Sequence, residues 1–346
     1  MSSGALLAPQ PATPVAPGPI PTFSIVVAVY EAAEVVGQAI ESGLGQTVAP
    51  HELIVCDDGS RDGLEAAIAP FRDRILFLRR QENGGEAAAK NAAARAAGGD
   101  FIAILDADDV YLPTRLEALG ELAAARPDLD ILTTDAYLEL GGRRVRRCYE
   151  ADWPFETADQ RRGILERNFV FGLAAVRRER LLAVGGFDET IRWTTDWDCW
   201  IRLILDGSRV GAVDEPLAVY RLRETSLSAS RIDLVRGRTQ TLRKAAADSR
   251  LTAEEQAIVR TNIALQERDL VLMEARAALL ERPRGLRRML LALAARRGVA
   301  TTTRLKALAA AILPPVAARV FRERETGSWT GAAGIRARSE ESERSP

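Results

Sequence analysis

The amino-acid sequence predicts an α/β fold, a wound and mostly parallel sheet that turns mixed, followed by a C-terminal α-helical extension. Three observations carry this expectation: short apolar runs that end abruptly in carboxylates, helical stretches that alternate with those runs, and helical periodicity without strands after residue 230. A strand buried on both faces reads as a continuous apolar run. Leu53-Ile54-Val55-Cys56, entering Asp57-Asp58-Gly59-Ser60, is of that kind, as is Phe101-Ile102-Ala103-Ile104-Leu105, entering Asp106-Ala107-Asp108-Asp109. Both would deliver carboxylates to the carboxyl edge of the sheet, where open α/β sheets bind ligands.

Residues 1–21 are rich in Pro, Ala and Ser, with neither a basic start nor an apolar core, and are expected to form a disordered leader and not a signal peptide. Phe23 to Tyr30 is the first buried strand, followed by a helix from about Ala33 to Leu44. Leu53 to Cys56 is the second strand, Leu64 to Phe71 a short helix and Ile75 to Leu78 the third strand. Gly84-Gly85 opens an alanine-rich helix, Glu86 to Ala97, and Gly98-Gly99 closes it before the fourth strand, Phe101 to Leu105. Such alternation implies right-handed crossovers. A helix from about Pro113 to Ala125 starts with Pro at a favoured early position. Ile131 to Leu140 and Val145 to Tyr149 flank Gly141-Gly142 as a hairpin, its Arg143, Arg144, Arg146 and Arg147 forming a solvated edge. Val170 to Val176 reads as a further strand, Arg178 to Val184 as a helical turn and Asp196 to Leu205 as a helix carrying Trp197 and Trp200. The strand signals stop after Tyr220, and 231–281 and 282–324 are helical, Arg-rich tracts. The expected organisation is a leader over 1–21, the wound domain over 22–230, a basic helical region over 231–326 and a disordered tail over 327–346.

The net charge of −1 conceals a division. Residues 1–230 hold 24 basic and 35 acidic side chains, a net of −11, whereas 231–346 hold 23 and 13, a net of +10. An acidic front half repels a phosphorylated ligand unless a metal ion intervenes, and a basic tail suits an anionic surface. From Glu281 to Arg324 eleven basic residues face two acidic ones, interleaved with apolar runs. That segment reads either as a peripheral anchor on an anionic membrane surface or as a cap on the acidic domain. No nucleic-acid module accompanies the charge. The longest apolar stretch there, Ala307 to Ala318, is interrupted by Pro314-Pro315 and is too short to span a bilayer. Cys56, Cys148 and Cys199 lack paired ligand spacing and read as free thiols of a reducing, cytoplasmic compartment. His51 is the only histidine, so proton transfer falls to carboxylates.

In an extended segment alternate side chains share a face, so Asp106 and Asp108 point together, while Ala107 points away. Such a pair can hold one divalent cation, although Asp also ends strands simply as a turn former. Gly84-Gly85 ahead of a helix lets backbone amides approach a diphosphate. Lys90, one turn inside that helix, serves either the same anion or an i,i+4 pair with Glu86.

The chain resembles the family-2 glycosyltransferases of the GT-A fold. The resemblance rests on an ordered set: Pro21 to Tyr30, Asp57-Asp58-Gly59-Ser60-Arg61-Asp62, Asn83-Gly84-Gly85, Lys90-Asn91, Asp106-Ala107-Asp108-Asp109, Gly185-Gly186-Phe187-Asp188-Glu189 and Asp196-Trp197-Asp198. It spans about 22 to 228 and implies inverting transfer of a sugar from a nucleotide diphosphate sugar to a glycan, lipid-linked or small hydroxyl acceptor. It further implies that Ala28, Tyr30, Glu31 and Asp57 or Asp58 line the base and ribose, with Gly84, Gly85, Lys90 and Arg223 toward the diphosphate. Asp106, Ala107 and Asp108 would meet the ribose and diphosphate, the two carboxylates holding Mg²⁺ or Mn²⁺. Asp196 corresponds to the general base, and Trp193, Trp197 and Trp200 offer stacking surfaces for an acceptor sugar, at least one of them being core. The chain departs from the family pattern at Glu31, where Asn is common, at Lys90 for Arg, at Thr195 for Glu and at Arg223 for His. Two other readings are a nucleotide-sugar-binding scaffold without turnover and a sugar-phosphate nucleotidyltransferase. The second normally has a Gly-rich loop after strand one, where this chain has Tyr30-Glu31-Ala32-Ala33.

Overall fold

The computed structural model describes residues 6–10, 16–150, 153–222, 231–281, 304 and 307–308. It divides into two compact units, one of Met1–Leu222 with Thr241–Val259 and one of Arg223–Gln240 with Arg260–Pro346. Residues 241–259, expected with the helical region, therefore belong with the sheet.

The chain begins with a short strand β1 (Leu6–Leu7), then β2 (Phe23–Val29), α1 (Val36–Leu44), β3 (Glu52–Asp57), α2 (Leu64–Ile68), β4 (Leu76–Arg79), α3 (Glu86–Ala96) and β5 (Phe101–Ile104). It continues with β6 (Val110–Tyr111), α4 (Arg115–Ala125), β7 (Ile131–Leu140), β8 (Arg143–Arg147), α5 (Gln160–Glu166), β9 (Ala175–Arg177), α6 (Arg178–Ala183), α7 (Thr195–Leu205) and β10 (Val210–Leu222). Helices α8 (Arg231–Ala246) and α9 (Ala253–Glu281) follow. The sheet order is β1-β10-β7-β9-β5-β2-β3-β4, with β6 paired to β10 and β8 to β7.

The parallel core is β4-β3-β2-β5, and its central residues Ile25, Val27, Ile54, Val55 and Ile104 are wholly buried, as continuous apolar runs require. The alanines of α3 allow that helix close approach to β2 and β3. β9 runs antiparallel to both β5 and β7, and β10 is parallel to β7. This topology fixes where the chemistry must lie. The carboxyl ends of β2, β3 and β5 share one edge, the loop entering β9 arrives at the same edge, and α7 starts there because it runs back before β10 begins.

Four expectations change. The segment read as a leader is not wholly unstructured: Leu6 and Leu7 pair with Val213 and Ala212, and the Gly18 N–H donates to Ala124 O at 2.7 Å. The strand expected over Val170–Val176 shrinks to β9, and the apolar residues before it form a buried loop. β10 has no counterpart in the predicted elements, because Asp214-Glu215-Pro216 interrupts its apolar pattern and forces two register shifts against β7. Trp197 and Trp200 are both core, 2% and 0% exposed, which leaves Trp193 as the one of the three indoles that is partly exposed, with the Arg192 guanidinium over its ring. The tail from 282 to 346 lies outside the described residues except at 304, 307 and 308, so the expectations on it are untouched. Among the described residues no helix is long and apolar enough to cross a membrane.

Candidate active site

The first turn of α3 is the meeting point of the carboxyl edge. Asp58, buried at the end of β3, accepts the N–H of Gly84 at 3.1 Å and of Gly85 at 2.7 Å, and it pairs with the Arg80 guanidinium. The amides expected to face a diphosphate are thus turned onto a carboxylate of the protein itself. Gly85 holds φ +90°, a conformation glycine adopts freely.

One turn on, Lys90 is buried at 3% exposure and ion-pairs with Glu86 and, at 3.0 Å, with Asp106. Of the two alternatives raised for Lys90 the i,i+4 pair is present, and the ammonium also reaches the strand-end carboxylate of Asp106. Burial alone would depress its pKa, but the Asp106 and Glu86 carboxylates outweigh this and hold the ammonium charged. Asp106 is 29% exposed, Asp108 is half-buried and Ala107 is buried between them, but the segment is not extended as expected. Residues 107–108 form a turn closed by the Asp109 N–H on Asp106 O at 3.1 Å, so strand alternation does not pair the two carboxylates. Asp109 is fully buried, accepts the Arg221 N–H at 2.9 Å through Oδ1 and leaves Oδ2 without a partner. Burial, with Asp106 and Asp108 adding negative potential, pushes its carboxyl well above the usual range.

Asp196 is the second residue of α7. Its Oδ2 accepts from Asn168 Nδ2 at 2.9 Å, and Gly172 lies so near that an added Cβ would sit 3.6 Å from that oxygen. Burial raises its pKa, the Trp197 N–H lowers it, and the charges of Glu86 and Lys90 act on it in opposite directions. Lys90 therefore lies in the field of both Asp106 and Asp196, residues ninety apart in sequence. Thr194, immediately before this helix, holds φ +60°, and Glu31, immediately after Tyr30, holds φ +50°. Asn enters that region more readily than Glu. Glu31 is tied there by the Ser60 hydroxyl on its N–H at 3.0 Å and by the Arg61 N–H on its carboxylate at 2.8 Å.

The other residues expected on the donor side fall along the same edge. Ala28 is half-buried and Tyr30 is 53% exposed, both at the end of β2. Asp57 is 1% exposed, accepts the Ser60 N–H at 2.8 Å and lies 3.5 Å from the Arg79 guanidinium. A shallow recess bounded by Asp57, Ser60, Arg61, Leu64 and Arg79 opens beside it. Arg223 lies outside the described residues.

Sequence reasoning missed Asn168 and Trp153. The Trp153 indole N–H donates to Asn168 O at 2.7 Å, and its ring begins an aromatic cluster with Tyr149, Phe155, Phe169, Phe171 and Tyr220. Their partners are distant in sequence, and both sit in stretches that read only as loop or strand.

Comparison with known proteins points to the same fold. The profile described as "Glycosyl transferase family 2" matches residues 24–184. An uncharacterized glycosyltransferase of Methanocaldococcus jannaschii, MJ1057, is 28% identical over 218 residues, 61% of this chain and 74% of that protein. The succinoglycan biosynthesis protein ExoO of Rhizobium meliloti is 30% identical over 220 residues, 60% of this chain but only 63% of its own length. The mannosyltransferase PcManGT of Pyrobaculum calidifontis, solved in complex with GDP-Man and Mn²⁺, superposes with a TM-score of 0.54 at 22% identity, covering 90% of each chain. The wound mixed sheet is that of the GT-A glycosyltransferases. Residues 24–184 thus match the glycosyl transferase family 2 pattern, within a sheet of the GT-A kind.

Proposed function

We propose that the protein transfers a sugar, with inversion, from a nucleotide diphosphate sugar to a hydroxyl of a glycan, lipid-linked or small acceptor, with Asp196 as the general base. The observation that carries this reading is the convergence of Asp106, Lys90 and Asp196 around the start of α3 at one sheet edge. Inverting displacement needs a base on the face opposite the leaving group, and Asp196 reaches the edge from α7 while the Asp106 pair reaches it from β5. A raised pKa keeps the Asp196 carboxylate more basic than an ordinary aspartate and so better matched to a hydroxyl proton. Asn168 aims it.

On the donor side, Ala28, Tyr30 and the recess beside Asp57 offer a place for base and ribose. Lys90 supplies a fixed positive charge toward the phosphates, and Asp58 holds the Gly84-Gly85 turn in shape. Asp106 and Asp108 are the residues that would hold Mg²⁺ or Mn²⁺. An oxygen-only pair of carboxylates suits a hard cation that takes its other ligands from diphosphate and water. When bound there, the ion supplies Lewis-acid stabilisation of charge building on the leaving nucleotide. PcManGT, bound to GDP-Man and Mn²⁺, supports the donor class by likeness, and ExoO supports a place in cell-envelope polysaccharide assembly.

The test has two arms. A thermal-shift panel of UDP- and GDP-sugars, with and without Mn²⁺, is expected to raise Tm with at least one donor, since a ligand that prefers the native state stabilises it. With that donor, Asp196→Asn is expected to lower kcat by about 10²- to 10⁴-fold with donor affinity unchanged, the usual worth of a general base. Equal turnover by parent and variant would remove the base assignment, and no stabilisation by any nucleotide sugar would leave the donor reading without support.

A further inference from the structure

We propose that Lys244, with Thr241, is a positioning residue for the base, so that helix α8, which follows the wound domain in sequence, is part of the catalytic machinery. The proposal rests on the reading of Asp196 as base. Lys244 Nζ lies 2.6 Å from Asp188 Oδ2 and 2.8 Å from Asp198 Oδ1. Asp198 is buried in the first turn of α7, two residues beyond Asp196, and its other oxygen accepts from Arg202 Nε at 2.8 Å. Three residues before Lys244 on α8, the buried Thr241 hydroxyl meets the Thr194 hydroxyl at 3.0 Å. Thr194 is the residue at φ +60° that turns the chain into α7. Non-glycine residues persist in that conformation only where their surroundings hold them. The two contacts from α8 thus grip the first turn of α7 on both sides of Asp196.

The grip continues to the donor side. Asp188 belongs to Gly185-Gly186-Phe187-Asp188-Glu189, and Asn91 of α3 locks this segment: its Oδ1 accepts the Phe187 N–H at 2.8 Å, and its Nδ2 donates to Phe187 O at 2.8 Å and to Glu189 at 2.9 Å. Arg202 donates to Val184 O and Gly186 O at 2.7 and 2.6 Å. Lys244 therefore cross-links the base helix to a segment fastened to the residue beside Lys90. A flexible carboxylate must be held to a fraction of an ångström to accept a proton in an in-line displacement, and loss of that hold lowers turnover more than binding. The chain has three lysines, at 90, 244 and 306. The two whose contacts are described each bridge a pair of carboxylates, as a compact ammonium with three donors can.

The experiment uses the full chain with the UDP- or GDP-sugar on which the parent turns over fastest, and compares Lys244→Met, Lys244→Arg, Thr241→Val and Asp196→Asn. Lys244→Met is expected to lower kcat by about tenfold or more with donor KM within about twofold, and Lys244→Arg to return kcat to within about fivefold of the parent. Thr241→Val, which removes one hydrogen bond and no charge, is expected to lower kcat several-fold, again without raising KM. Unchanged kcat in Lys244→Met overturns the proposal, as does a loss that Lys244→Arg fails to recover. If Lys244→Met does not fold, Thr241→Val decides, and parent-like kcat there overturns it. Parent-like turnover by Asp196→Asn instead removes the base reading itself, whatever Lys244 does.

Discussion

Asp196 carries a cost that its neighbours do not remove. Its carboxyl titrates above the ordinary aspartate value, chiefly because burial disfavours the charge and Glu86 adds to the negative potential. A carboxyl whose native pKa is raised contributes stability that is fully present below the unfolded value, about 3.9, and lost as pH rises through the native value. At neutral pH the ionised base therefore destabilises the fold. Asp196→Asn is expected to raise Tm at pH 7.5 even as it lowers kcat, with the gain vanishing near pH 3. A scan of parent and variant across pH 3–8 measures it, and a lower Tm for the variant at neutral pH would contradict the assignment of burial as the cause. With Asp196 as the proposed base, the same raised pKa is expected to set the acid limb of kcat above that of an ordinary aspartate. Asn168→Ala removes a hydrogen bond that favours the charged form, so it is expected to move that limb to still higher pH.

Among the elements, the parallel core was legible because each strand is buried on both faces and its carboxylates follow without a transition, as at Val55-Cys56-Asp57-Asp58. The boundaries failed where tertiary contacts override local pattern. α1 starts at Val36 and not Ala33, because residues 33–35 form a turn in which the Val35 and Val36 N–H groups both donate to Ala32 O, at 3.1 and 3.0 Å, and Asp62 takes the Ala33 N–H at 2.7 Å. Val170–Val176 looked like a strand, but the apolar side chains there pack a loop whose purpose is to bring Gly172 and Asn168 to Asp196. Helical spacing could not say which tryptophan is core, and burial has claimed both Trp197 and Trp200. Gly185-Gly186 meets a plain physical demand. Gly186 holds φ +74°, and an added Cβ would lie 2.3 Å from Asn91 Oδ1. Gly186→Ala strains the backbone and also pushes Asn91 off a bridge whose loss strands the buried Phe187 amide, and each costs roughly 1–3 kcal/mol. Urea denaturation is expected to show a destabilisation of about 2–4 kcal/mol, with Asn91→Ala losing a similar amount. A change under 0.5 kcal/mol in both would mean that the segment relaxes freely.

At the scale of the molecule, the sequence placed a boundary at residue 230 because strand signals end there, but packing ignores it. Arg161 of α5 meets Glu255 at 2.5 Å and donates to Arg250 O at 2.7 Å, Arg250 reaches Asp206 at 3.2 Å, and Lys244 pairs with Asp188 and Asp198. Leu242, Leu251 and Val259 are buried as well. These side chains are invisible to periodicity, since each contact joins residues 44 or more apart. Cutting the chain at 230 removes every such contact and leaves Asp188, Asp198 and Arg161 without them; cutting it at 281 removes none. A chain ending at 230 is expected to be poorly soluble or to melt well below the parent, whereas one ending at 281 keeps the parent's Tm and turnover on a soluble acceptor. The same pair of lengths assigns the basic residues of 282–324. Each basic side chain near an anionic bilayer contributes on the order of 1 kcal/mol. If that segment anchors the enzyme, the full chain pellets with vesicles containing phosphatidylglycerol and is released by salt, while the chain ending at 281 stays in the supernatant. If both pellet alike, or neither does, the anchor reading of that segment falls.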